Sequence, residues 1–174
     1  MSESSQNRQA AEGCLIVIVL IAIVIGLLKA CSGAGPQSIE EVSSKISLVT
    51  RDKGVVTVYA AMSSIDGGNL DVTSALITAQ DVARWMFEER PDEHVDVNSL
   101  VLRAVAQTLD RFGNAGEQQV FFLVFRAADL RRVQWDNMPT YRIGGLATVT
   151  VNTSLGVQML ADYCKKWAGH GLCR

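Results

Sequence analysis

Histidine and the short motifs of common enzyme families are scarce in this chain. Its 174 residues include two histidines, His94 and His170, and no GxxxxGK(S/T), GxGxxG, GxSxG or HExxH motif. Both histidines fall in predicted loops or tails among polar residues, so a Ser-His-Asp or Cys-His catalytic site is not expected. The sequence therefore predicts no catalytic residue, no cofactor site and no metal site.

An excess of positive charge is also missing. Lys and Arg together number 16 and Asp and Glu 18, which gives a formal net charge of −2. Proteins that bind DNA or RNA release counterions from the phosphates with clustered basic side chains, and this chain lacks such a one-sided charge. We expect no nucleic-acid partner.

One hydrophobic run dominates the N-terminal part. It reads CLIVIVLIAIVIGLL from Cys14 to Leu28 and holds no charged residue. Continued to Cys31 as a helix it would extend roughly 27 Å, close to the thickness of a bilayer's hydrocarbon core. The sequence therefore predicts four segments: a polar tail at 1–13, a single-pass transmembrane anchor at 14–31, a flexible linker at 32–37 and a globular domain at 38–174. Membrane lipid is the first expected partner.

Two alternatives to a permanent signal-anchor stay open. Leu28-Lys29-Ala30-Cys31 resembles the processing site of bacterial lipoproteins, in which the cysteine is lipidated, although Lys29 stands where a small or apolar residue is usual. The run also matches the length of the hydrophobic part of a cleaved secretion signal. We favour the uncleaved anchor, with lipidation of Cys31 as the first alternative.

The C-terminal pair of cysteines suits a disulfide. Cys164 falls on the buried face of the last predicted helix, and the glycines at 169 and 171 let the chain reverse, so that Cys173 can return to that helix. Two unrelated thiols, or a weak metal site with His170, are the alternatives. We expect the disulfide.

The orientation in the membrane rests on two contrary signals. Arg8 precedes the hydrophobic run and Lys29, Lys45 and Arg51 follow it, a count that taken literally puts the C-terminal domain in the cytoplasm. Persistent disulfides are rare in that compartment. We favour an extracytoplasmic domain, in the periplasm and anchored in a bacterial inner membrane.

Hydrophobic periodicity predicts an α+β domain, a mostly antiparallel sheet of about four strands with helices packed on it. In VFFLVF, Phe122 and Leu123 should point to opposite faces and both be buried, and Gly144-Gly145 should form a bulge. The predicted elements are helices over 39–50, from 71 to Pro91, over 101–112 and from 153 or 154 onward, and strands over 55–61, 120–125, 130–135 and 141–151.

Two sets of charged residues stand out on the predicted surface. We interpret the acidic stretch around His94 as a solvated helix end and turn and not as a metal site, because its spacing matches no ligand pattern. A basic set could contact an acidic partner or lipid headgroups. The acidic stretch consists of Glu88, Glu89, Asp92, Glu93 and Asp96, and the basic set of Arg126, Arg131, Arg132 and Arg142.

Four residues are candidates for contact with a protein partner: Trp135, Tyr141, Arg142 and Trp167, of types enriched at interfaces. The sequence thus favours a membrane-anchored, non-enzymatic binding or scaffolding subunit of a bacterial-type envelope assembly. The alternatives are a lipid-anchored envelope lipoprotein and a membrane-tethered hydrolase or metal-dependent enzyme.

Overall fold

A five-stranded mixed sheet is the centre of the fold. The computed structural model describes residues 35–62, 68–109 and 113–173. Its strands are β1 (Ile46–Asp52), β2 (Val55–Met62), β3 (Ser99–Leu109), β4 (Ala115–Arg126) and β5 (Ala147–Val151), which lie side by side in chain order. The β2–β3 pair is parallel and the other three pairs are antiparallel. The α+β class and the mainly antiparallel sheet are confirmed, with five strands instead of about four.

Helices lie before β1, between β2 and β3, between β4 and β5 and after β5, and the two longest cover one face of the sheet. The α-helices are α1 (Ile39–Val42), α2 (Gly68–Arg84), α3 (Ala127–Leu130), α4 (Thr140–Ile143) and α5 (Ser154–Lys166). Shorter turns are the π-helical turn Trp85–Glu89 and the 3-10 turns Pro91–His94, Trp135–Asn137, Gly144–Leu146 and Gly171–Cys173. Helix α2 makes the crossover between the two parallel strands, and it packs beside α5.

The core lies between the sheet and these two helices. Alternate residues of β2, β3 and β4 point into it because side chains of a strand alternate between faces. Leu102 pairs with Val58 on one side and Leu123 on the other, and all three are fully buried. The opposite face is only half buried: Phe122 and Val124 keep partial exposure. Burial of Leu123 is confirmed, whereas the prediction that β4 is buried on both faces is wrong.

The predicted helix over 39–50 is wrong beyond its first turn. Only Ile39–Val42 is helical, and β1 follows. A two-residue turn joins β1 to β2, and its residues Lys53 and Gly54 have φ of 46° and 79°. Two successive residues with positive φ form the turn type that matches the twist of a hairpin. The Asp52-Lys53-Gly54 sequence therefore closes a hairpin and does not end a helix.

The predicted helix over 101–112 is wrong as well, because these residues form most of β3 up to Leu109. Their apolar residues fit both periods, since Val101, Ala104 and Val105 recur at helical spacing while Leu100, Leu102 and Ala104 alternate. The alternating set is the buried one, each at 0% exposure. Pairing with both β2 and β4 decides in favour of the strand.

The predicted strand over 130–135 is wrong, and that over 141–151 is shorter than predicted. The first segment contains the end of α3 and the start of a 3-10 turn. In the second, α4 and the 3-10 turn Gly144–Leu146 precede β5. Gly144-Gly145 is therefore not a bulge. A Cβ atom on Gly144 would lie 2.9 Å from Cβ of Leu172, so close packing against the chain end requires the glycine.

Other predicted elements agree with the structure. The strand over 55–61 corresponds to β2, the helix ending before Pro91 to α2 and its π-helical extension, and the last helix to α5. Thr153 caps α5, with its hydroxyl accepting a hydrogen bond from the Gly156 amide at 3.0 Å.

The predicted membrane anchor at 14–31 and polar tail at 1–13 lie outside the described residues, as does the linker up to residue 34. Within the residues that the structure describes, no helix combines the length and apolar character needed to cross a bilayer. The segment boundaries stay predictions.

Because β4 is fully buried on one face only, alanine substitutions at two adjacent positions should lower the free energy of unfolding by different amounts. Leu123→Ala should lower the free energy of unfolding by about 3 kcal/mol, because it opens a cavity in the core. Phe122→Ala should lower it by about 1 to 2 kcal/mol, because this ring is already partly hydrated. Urea unfolding of the two variants in detergent measures both values. A larger loss at Phe122 than at Leu123 would contradict this packing.

Candidate functional site

Three of the four residues predicted for partner contact lie together near the chain end. Tyr141 and Arg142 belong to α4, and Trp167 follows the last turn of α5. Tyr141 is 42% exposed and Trp167 is 40% exposed. The fourth residue, Trp135, is not part of this group and is buried at 6% exposure.

A histidine ring joins the two exposed aromatic residues. The His170 imidazole stacks on Trp167 with ring centroids 5.0 Å apart and an interplanar angle of 12°. Its other neighbour is Tyr141, also 5.0 Å away and inclined by 28°. We call Tyr141, His170 and Trp167 the ring stack. Offset stacking of this kind stabilises aromatic pairs beyond the area that they bury.

A buried tyrosine orients the central ring. Tyr163 on α5 meets His170 edge-on, and its hydroxyl oxygen is 2.7 Å from Nδ1 of the imidazole. Burial raises the pKa of Tyr163, so the hydroxyl stays protonated at neutral pH and can donate to Nδ1. His170 is thereby held by α4, by α5 and by the segment that follows α5.

A cation lies at each end of the ring stack. Nζ of Lys166 is 5.2 Å from the centroid of the Trp167 ring, and Cζ of Arg142 is 5.9 Å from that of Tyr141. Cations near ring faces are attracted by the ring quadrupole. No ion pair between described residues involves either cation. Both charges are therefore available to carboxylates from outside the domain.

Cys164 and Cys173 close the loop that carries two of the three rings. Their sulfur atoms are 2.00 Å apart and their Cα atoms 5.3 Å apart, so the predicted pairing is confirmed as a pair of cysteines at disulfide distance. The closed loop contains Trp167 and His170. The loop also packs closely against the 3-10 turn Gly144–Leu146, since a Cβ atom on Gly171 would lie 2.5 Å from the backbone nitrogen of Gly145.

A groove runs beside the ring stack. It consists of two depressions of about 500 and 570 Å³ that share Met138, Arg142 and Leu146. Two arginines and one carboxylate give the groove a net positive lining over an apolar floor. Arginine can bind a carboxylate through two parallel hydrogen bonds. The further lining residues are Tyr141, Gly145, Gly169 and Gly171 at one end and Asp129, Arg132, Val133, Gln134 and Asn137 at the other.

His94 is buried, so the interpretation of this residue as part of a solvated acidic turn is wrong. It is 3% exposed, and its Nδ1 lies 2.8 Å from an Arg51 guanidinium nitrogen. Because arginine can only donate, Nδ1 accepts and the proton lies on Nε2, which has no hydrogen-bond partner among the described residues. Burial, and secondly the charge of Arg51, lower the pKa of His94. The five acidic residues around it are exposed, as expected.

The predicted basic set does not form one surface. Arg131 donates to the carbonyl oxygens of His94 and Val97, at 2.9 Å each, and its guanidinium lies 5.2 Å from the Phe87 ring centroid. This arginine fastens the loop before β3 and is structural. Of the set, Arg132 and Arg142 line the groove.

Sequence reasoning missed His170 as the centre of the site. Its position between two glycines near the chain end suggested a tail. The one available signal was its inclusion in the loop between the two cysteines, beside Trp167. In the described part of the chain, no group of three or more His, Cys, Asp or Glu residues is arranged to hold a metal ion. The absence of a metal site stays a prediction.

No protein-family model matches this chain, and no curated protein or solved structure matches it. A function for the chain therefore rests on its own geometry and chemistry.

The lowered pKa of His94 predicts a loss of stability in mild acid. The unfolded chain takes up a proton on this residue below about pH 6.5, whereas the folded protein does not until its lower pKa is passed. The free energy of unfolding should therefore fall as the pH decreases from about 6.5, and this component should level off below the folded pKa. His94→Gln should remove it. Urea unfolding between about pH 5 and 8 tests this, and equal slopes for both proteins would contradict it.

Proposed function

We propose that this chain is a membrane-anchored, non-enzymatic binding subunit of a bacterial-type envelope assembly, with its domain outside the cytoplasm. The ring stack and the adjacent groove are the surface that binds an acidic segment of a partner protein. One observation carries the proposal: two exposed aromatic side chains are fixed on either side of His170, with a cation at each end.

Rigidity of the aromatic residues supports a binding role. Trp, Tyr and Arg contribute most to the energetic centres of protein interfaces. A side chain that is ordered before binding loses less conformational entropy when the partner arrives. Tyr141 and Trp167 are ordered by stacking on His170, and yet about two fifths of each remains exposed.

Charge supports an acidic partner. Arg132, Arg142 and Lys166 surround the site, and no ion pair between described residues engages them. A carboxylate of the partner can bind the Arg142 guanidinium, while an apolar side chain of the same segment contacts Met138 and Leu146. The carboxylate of Asp129 at the far end of the groove would repel further acidic residues, so the bound acidic segment should end before it.

The hydrophobic run and the cysteine pair support the proposed location. The run from Cys14 to Leu28 suits a signal-anchor, and a disulfide between Cys164 and Cys173 would persist only outside a reducing compartment. Leu28-Lys29-Ala30-Cys31 favours one alternative anchor, lipid attached to Cys31. The mass of the mature N-terminal peptide distinguishes the two anchors.

Site-specific photocrosslinking in native membranes tests the binding surface. A photoreactive amino acid at Asn137, in the groove, should give an adduct with a partner, and the same residue at Thr50, on β1, should not. Arg142→Glu and Trp167→Ala should each reduce the adduct by at least about tenfold, equal to about 1.4 kcal/mol of binding.

The matched control is Arg126→Glu, which makes the same charge change at an exposed residue outside the groove. It should leave the adduct unchanged. Equal loss in the Arg126 and Arg142 variants would indicate general electrostatic attraction and would contradict a specific site. An adduct that survives Trp167→Ala would contradict the role of the ring stack.

Thiol alkylation of the full chain in its native membrane tests the location. Cys164 and Cys173 should resist a maleimide before reduction and react after it, because oxidised sulfur is not nucleophilic. Free labelling of both residues before reduction would contradict the disulfide and remove the main support for an extracytoplasmic domain.

A further inference from the structure

Strand β5 forms one edge of the sheet and leaves a row of backbone groups unpaired. The amide of Asn152 donates to the carbonyl of Val120 at 3.3 Å, which fixes the hydrogen-bonding phase of the β4–β5 ladder. In an antiparallel ladder every second residue pair exchanges hydrogen bonds. Thr148 and Thr150 therefore bond to β4, and the N–H and C=O groups of the intervening residues point outward. These outward-facing residues are Ala147, Val149 and Val151.

The two edge strands of the sheet differ in how well they are protected from pairing with a strand of another chain. Natural edge strands are commonly blunted by bulges, charged residues or proline. Strand β1 has a register irregularity between Ile46 and Leu48 and ends in exposed Arg51 and Asp52. Strand β5 reads ATVTV, with a regular register, no charge and no proline. The Ala147 amide donates to the carbonyl of Gly144, whereas no hydrogen bond within the described part of the chain reaches the outward groups of Val149 and Val151. This edge is open to another strand.

The sequence of β5 is complementary to itself. In an antiparallel pair centred on Val149, Thr148 lies opposite Thr150 of the copy, and Ala147 lies opposite Val151. Cross-strand threonine pairs are favourable, and no like charges oppose each other. The residues that face outward are the ones that would exchange bonds in this register. Because the Ala147 amide is already bonded to Gly144, the pair would form about four hydrogen bonds, two between the Val149 residues and one from each Val151 amide to Ala147 of the copy.

We infer that two copies of this chain associate through β5 and form one continuous ten-stranded sheet. The interface is isologous, with the twofold axis passing beside Val149. We take a second copy as the partner, because in this register the outward-facing residues of the two β5 strands lie opposite each other. No charged residue is brought into the interface. This association is independent of the ring stack, whose residues lie on α4 and after α5.

Disulfide trapping of the full chain in its membrane tests the register. In this pairing Cα of residue 148 lies about 4.5 Å from Cα of residue 150 in the copy, whereas equivalent residues lie about 7 to 8 Å apart. Coexpressed Thr148→Cys and Thr150→Cys chains, in a Cys14→Ser/Cys31→Ser background, should give a mixed dimer on oxidation, and each variant alone far less. Both residues are exposed, so the fold should tolerate the change.

A pair of charge variants provides the second measurement. The variant Thr148→Lys/Thr150→Lys places like charges opposite each other across the interface. The variant Thr148→Lys/Thr150→Glu places unlike charges opposite each other. Hydrogen exchange of the Val149 and Val151 amides should be at least about tenfold faster in the first variant than in the second or in the wild type. Exchange of β2 amides should be equal in all three, which shows that the domain stays folded.

The inference is overturned if the mixed cysteine pair crosslinks no better than either single variant, or if the two charge variants exchange their β5 amides equally. Trapping of a different protein by either cysteine in place of the second copy would also overturn it.

Discussion

The His170 ring connects the parts of the domain that meet at its C-terminal end. It stacks on Tyr141 of α4 and on Trp167 beyond α5, and its Nδ1 contacts the Tyr163 hydroxyl within α5. The cysteine pair at 164 and 173 keeps the loop that carries this ring against the helix. Apart from that closure, the described segment after α5 has two glycines and one buried side chain, that of Leu172, to hold it. The candidate site therefore depends on the cysteine pair and one imidazole.

The topology explains why this constraint lies at a surface. Helices α2 and α5 cover one face of the sheet, and α5 runs from the end of β5 to Lys166, where the buried Tyr163 is its last core residue. The described residues after Lys166 form irregular backbone and the 3-10 turn Gly171–Cys173. They fold back onto α4 and the glycines at 144 and 145, which leaves one side of each outer ring exposed. Binding would add contacts to an ordered surface.

The sequence predicted elements whose pattern fits one period and whose ends carry clear signals. Strand β2 has alternating burial and is bounded in the sequence by Gly54 and the polar residues after Met62, and α5 has Thr153 as its cap. Prediction from sequence was wrong where apolar residues fit both the helical and the strand period, as in β3. Pairing with neighbouring strands determines whether such a segment is a helix or a strand. The prediction that a helix ends at Lys53-Gly54 was also wrong, because only the backbone angles of these residues distinguish a hairpin turn from a helix end. Of the site, residue types identified the exposed aromatics, but the role of His170 depends on loop closure.

Nuclear Overhauser contacts of the His170 ring, measured on the full chain in detergent, test most directly whether the cysteine pair holds the site together. We expect contacts from its ring protons to those of Trp167 and Tyr141 in the oxidised protein. After reduction these contacts should disappear while the amide signals of the sheet stay unchanged. Contacts that persist after reduction, or that are absent from the oxidised protein, would contradict the account.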